Sequence, residues 1–243
     1  MLEAPSIILL CQQAKHFIGQ KVTAIEGDET DFETSRLWNC PLLALRTFGK
    51  ELLLCFPNFT ISLTFPPSAA FAINAVENLP LHLAIRFEKG SIFFYRTQST
   101  LIEQPIEEVY DFRAEVMNEL WDGDLAYEKL LQIPQHSIGK ALRCQNIFSG
   151  VGNKISDEVL YRLKIHPHSL VGSIPKAKLK ELIDETVKIS FEMLDWLLDG
   201  SAENHLLVHN KQLCPGDLRP LKYEEDDELE NSYYCEQCQI LFR

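Results

Sequence analysis

The sequence has 243 residues, 46% hydrophobic and 24% charged, close to the average globular chain and far from a disordered or fibrous one. No apolar run approaches the ~20 residues of a membrane-spanning helix, and a net charge of −12 opposes loose attraction to nucleic acid or anionic membrane. Seven cysteines, an odd number, argue against a disulfide framework. The short apolar stretch Ser6–Cys11 has no basic flank of the kind that marks an export signal, so a cytoplasmic protein is expected.

In chain order, apolar residues at 7, 10, 14 and 17 predict a helix over 6–17. Strands are predicted at 21–25, 42–47, 51–56, 60–65, 82–87 and 91–95. Turn residues separate them, and the clearest hairpin runs across Glu88-Lys89-Gly90. Beyond residue 105 the spacing becomes helical over 107–120, 126–131, 137–148, 154–163 and 175–198. Ser173 and Pro175 mark the start of the last helix and Gly200 its end. The last 40 or so residues hold three cysteines and the acidic run Glu224–Glu228. The fold class is therefore α+β: a helix with an antiparallel β-sandwich or barrel over 1–110, a helical domain over 111–200 and a small separate unit over 201–243.

Charge is distributed unevenly. Residues 137–188 carry nine basic against five acidic side chains, and residues 201–243 carry four against nine. Any nucleic-acid surface must lie in the middle segment, among Lys140, Arg143, Lys154 and Arg162. There, Gly150-Val-Gly152-Asn153 forms a tight turn into a helix whose first N–H groups face outward, a ready anion site. Asn153 can cap that helix or bind the anion itself. An ordinary glycine turn between packed helices has the same spacing.

Gly150, Gly152, Asn153, Asp157, Glu158, Leu160, Arg162, Ile165, His166 and Pro167 stand in register with the helix–two-turn–helix of the formamidopyrimidine-DNA glycosylase and endonuclease VIII family. The chain resembles that family from end to end, since the family also has an N-terminal β-sandwich and a C-terminal zinc ribbon. The resemblance implies a monomer that acts on damaged or abasic duplex DNA and does not bind membranes. Asn153 and Lys50, the latter in the turn Gly49-Lys50, would hold phosphates, with Lys140, Lys154 and Arg162 alongside. Glu3 would be the catalytic acid. The family's nucleophile is the proline amine exposed after methionine removal, and that slot holds Leu2. If Met1 stays attached, the amine lies about 3.5 Å from its required place.

Other departures are local. Ser6 replaces a glutamate, and Thr64–Ser68 and Arg96–Thr100 replace the segments that fill the gap left by a flipped base. Phe65 is either a wedge into that gap or strand-end core. In the ribbon, Cys214, Cys235 and Cys238 keep their places and Asp217 takes the place of the fourth cysteine. Three thiolates and a carboxylate suit one tetrahedral zinc ion, with His209 as a spare donor. The alternative is a metal-free hairpin held by Leu213, Leu218, Tyr234 and Phe242. Glu230 sits in the slot of a phosphate-gripping arginine. Three functions fit these residues: a base-excision glycosylase and apurinic-site lyase, a DNA-binding relative without catalysis, and a protein-interaction module using the acidic face.

Overall fold

The computed structural model describes residues 2–27, 32–225 and 232–243. Asp226, Asp227, Glu228 and Glu230 lie outside them. The chain forms two compact units, Met1–Asp111 and Phe112–Arg243.

The first unit opens with helix α1, Ala4–Ala14, which turns Ile7, Leu10 and Ala14 inward at helical spacing. Eight strands follow: β1 Val22–Glu26, β2 Ala44–Phe48, β3 Glu51–Phe56, β4 Phe59–Thr64, β5 Ala70–Ile73, β6 Leu81–Phe87, β7 Gly90–Tyr95 and β8 Gln98–Ile102. They make two four-stranded antiparallel sheets, ordered β1-β6-β7-β5 and β2-β3-β4-β8. Alternate residues face inward. Leu52, Leu54, Ile61 and Leu63 of one sheet share a core with Leu83, Ile85, Ile92 and Phe94 of the other and with the buried face of α1. Phe65 belongs to that core at 4% exposure, edge-on to Phe71 and Phe94, so it is not an exposed wedge.

Two predicted helices are shorter than their apolar spacing suggests. The segment 107–120 contains only the turn α2, Ile106–Val109, and a 3-10 turn over Phe112–Ala114. Tyr110 leaves α2 in extended conformation because its ring packs on Phe48 and its hydroxyl donates to Glu51 at 2.7 Å. The segment 137–148 stops as α4, Ile138–Leu142, where the chain turns around the Gln145 side chain.

The second unit contains α3, Gly123–Leu131, capped by Asp122, and α4, capped by Ser137. Helix α5 spans Asn153–Arg162 and α6 spans Lys176–Leu198. The turn α7, Ala202–His205, and the hairpin β9, Lys222–Glu224, with β10, Ser232–Tyr234, complete it. Pro175 occupies the cap of α6, so Ser173 does not, and Gly200 follows the helix with φ +74°. One apolar core joins α3 to α6 through Leu130, Leu142, Phe148, Leu160, Leu182 and Ile189. Among the described residues no helix is long and apolar enough to cross a membrane.

Candidate nucleic-acid interface and metal centre

The turn before α5 is built by its neighbours. Gly150 has φ +96°, a conformation open to glycine and strained for other residues. The Gln145 amide clamps it, accepting from Gly150 N at 2.9 Å and donating to the carbonyls of Val151 and Arg143. Gly152 takes the cap position, so Asn153 is the first helical residue and not the cap. Its half-buried side chain sits at the positive end of α5, where N–H groups lack intrahelical acceptors.

The acids of the motif turn inward, which leaves the outward charge of this segment more basic than its composition. Glu158 is fully buried and accepts the backbone N–H groups of Leu207, Val208 and His209 at 2.9–3.0 Å. Asp157 accepts from Ser232 Oγ at 2.8 Å and meets His209 Nδ1 at 2.7 Å. Burial pushes its carboxyl up to about 6, against the opposing pull of His209. His209 thus partners Asp157, and it is not among the residues whose ligand atoms cluster in the hairpin.

The predicted basic residues divide. Lys140 is exposed on α4, and Lys154 is half-exposed at the start of α5, 3.9 Å from Glu203. Arg162 is held by Glu192 at 2.8 Å and Glu185 at 3.2 Å, over the ring of Trp196. It braces α5 against α6. In the first unit Glu3 is 3% exposed just ahead of α1, Leu2 is half-buried and Lys50 sits in the β2–β3 turn.

The C-terminal hairpin gathers its four predicted ligands. One ligand atom each of Cys214, Asp217, Cys235 and Cys238 lies within 4.8 Å of all the others. Cys214 Sγ is 3.6 Å from Cys238 Sγ, and Cys235 Sγ is 3.5 Å from Asp217 Oδ2. A tetrahedral zinc ion with bonds of about 2.0–2.3 Å requires ligand–ligand edges of about 3.5–3.8 Å. The donor set fits. Asp217 Oδ1 accepts from Arg219 N at 3.1 Å, which holds the carboxyl below its ordinary range and directs Oδ2 at Cys235. Of the residues that would hold a metal-free hairpin, Leu213 and Leu218 are 54% and 74% exposed, whereas Tyr234 is buried and Phe242 packs on the helical core. Gln239 locks the second cysteine turn, accepting from Cys235 N and donating to Ile165 O.

Three residues of this region were not singled out from the sequence: Gln145, Gln239 and Tyr161, whose hydroxyl is 3.3 Å from Cys214 Sγ. Tyr161 lies four residues after Asp157, on the same helix face, and that spacing is a legible signal.

Residues 114–195 match the family model of the formamidopyrimidine-DNA glycosylase H2TH domain. The chain is 31% identical to mouse endonuclease 8-like 2 over 169 residues, which are 68% of this chain and 48% of that protein. It is 27% identical to formamidopyrimidine-DNA glycosylase of Streptococcus thermophilus strain CNRZ 1066 over 197 residues, covering 71% and 72% of the two chains. The crystal structure of Lactococcus lactis formamidopyrimidine-DNA glycosylase, non-covalently bound to DNA containing an abasic site, superposes with a TM-score of 0.85. That match covers 98% and 99% of the two chains at 22% identity.

The chain belongs to the formamidopyrimidine-DNA glycosylase and endonuclease VIII family. It spans about half the length of the mammalian relatives it matches. The α+β class expected from the sequence is that of the family fold, with antiparallel sheets, the helix–two-turn–helix and the cysteine hairpin.

Proposed function

We propose that this chain binds damaged or abasic duplex DNA and acts in base excision as a glycosylase and apurinic-site lyase. The observation that carries the reading is the turn Gly150–Asn153, clamped by Gln145 and opening the positive end of α5 within the family's H2TH domain. Asn153, Lys154 and Lys140 in the second unit and Lys50 in the first contact phosphates, and Glu3 is the acid. Each phosphate contact adds about 0.9 to the slope of log affinity against log salt. In fluorescence anisotropy with a duplex carrying an abasic-site analogue, Asn153→Ala should weaken binding about tenfold, the worth of one charge-assisted hydrogen bond, with an unchanged melting midpoint. Absence of wild-type binding to normal, nicked and abasic duplexes at about 50 mM salt, where backbone contacts are strongest, overturns the reading.

One residue favours a second reading, a DNA-binding relative without catalysis. Leu2 stands where the family pattern has its proline nucleophile. Borohydride trapping on abasic duplex separates the two. In a chain whose residue 1 is removed, Leu2→Pro places a secondary amine next to Glu3 and should raise trapping above the native sequence. Native trapping that already equals it removes the second reading.

The hairpin, in this proposal, holds one zinc ion through Cys214, Asp217, Cys235 and Cys238. The ion has a structural role there, cross-linking two turns that bury too little apolar surface to hold each other. Elemental analysis of protein purified without chelator should find one zinc per chain.

A further inference from the structure

Helix α5 presents one face to the hairpin, and the face ends at the metal ligands. Asp157 holds Ser232 and His209, Glu158 holds the backbone of residues 207–209, and the Tyr161 hydroxyl lies 3.3 Å from Cys214 Sγ. The approach is close. A Cβ on Gly216 would lie 3.0 Å from the Tyr161 hydroxyl, 3.3 Å from Cys238 Sγ and 3.7 Å from Cys214 Sγ, so the hydroxyl occupies the space beside the two sulfurs. Cys214 Sγ also accepts from Gly216 N at 3.4 Å, within its own turn. Tyr161 is a donor brought to the same sulfur from another element.

Three thiolates and a carboxylate carry four negative charges, and a dication leaves two of them uncompensated. Donors to sulfur draw off part of that excess and fix the orientation of the ligand. We infer that Tyr161 is a positioning residue for the metal centre, donating its phenolic hydrogen to the metal-bound Cys214 thiolate and so tying metal retention to the helix that carries Asn153. The two residues are eight apart on α5, about 12 Å along the helix axis. This inference rests on the metal reading given above.

Cobalt(II) substituted into the full chain reports directly on the thiolates through its sulfur-to-metal charge-transfer bands. Removing the hydroxyl with Tyr161→Phe leaves the ring's packing in place and a more electron-rich sulfur. The bands should move to lower energy, and zinc release to a chromophoric chelator should quicken about tenfold or more, the usual cost of losing an outer partner. Incorporating 3-fluorotyrosine at 161, a stronger donor of nearly the same shape, should move the bands to higher energy and serves if Tyr161→Phe does not fold. Wild-type protein without a cobalt–thiolate band overturns the metal reading and this inference together. A normal wild-type band that neither replacement moves overturns the inference alone, since a packing role is preserved in both.

Discussion

Leu218 is the residue most at odds with its surroundings. It has φ +60° in the turn after Asp217 and is 74% exposed, so it carries backbone strain without burying its side chain. A left-handed conformation costs a branched residue about 1–2 kcal/mol, and glycine returns part of that to chain entropy. Leu218→Gly should raise stability by about 0.5–1 kcal/mol in urea denaturation of the metal-loaded protein. Asp157 carries a different tension, between burial and its partners. Its carboxyl is raised to about 6 in the folded chain, against an ordinary 3.8. Between those values the folded state keeps a proton that the unfolded chain has released, so this group's stabilisation is full below pH 4 and is lost as the pH rises through 6. The stability of Asp157→Asn relative to wild type, measured by denaturation across pH 4–7, should therefore increase with pH. A flat difference would show that His209 already keeps Asp157 ionised across the window.

At the scale of elements, the strands were the most legible part of the sequence and the short helices the least. Short apolar runs such as Leu52–Phe56 and Leu83–Phe87, bounded by turn residues, report directly on strands that are buried over most of their length. Strands β5 and β8 escaped notice, since Ala70–Ile73 and Gln98–Ile102 carry weaker patterns and pair only through long-range register. Apolar spacing over 107–120 mimics a helix, but Tyr110 is anchored to Phe48 and Glu51, a preference local spacing does not encode. In the candidate site the clustering of Cys214, Asp217, Cys235 and Cys238 was legible, through the likeness of their spacing to the family's ribbon. The inward turn of Asp157 and Glu158 was not, because nothing local says that a carboxylate will meet three N–H groups some fifty residues away. That junction is a single point of failure. Glu158→Ala would orphan three N–H groups and should cost at least 3 kcal/mol, detectable as a fall in thermal midpoint.

At the scale of the whole molecule, net charge and the proposed function pull in opposite directions. A chain of net charge −12 repels a polyanion at long range, so association with DNA should be slow at low salt and should rely on the local basic surface around Lys140 and Lys154. Stopped-flow association rates should hold level or rise with added salt while the equilibrium affinity falls, because screening relieves the repulsion as it weakens the local contacts. Metal removal is expected to reach the DNA as well. If the hairpin holds zinc and the chain binds DNA as proposed, a strong chelator should weaken binding to the abasic duplex, through the α5 face that holds Ser232 and Cys214.

The last residues of the chain give this arrangement a practical consequence for dissecting the protein. His166 N bonds Ile240 O, Ile240 N bonds Lys164 O and Leu170 N bonds Phe242 O, so the tail is stitched along the loop that follows α5. The hairpin is thus a lining of the helical unit and not an appendage to it. A fragment stopped at Gly200 would uncover Ile165 and open Asp157 and Glu158 to water without their partners. Such a fragment should show a broad, weakly cooperative thermal transition and bind a hydrophobic dye, whereas a fragment that keeps residues 112–243 together should melt sharply.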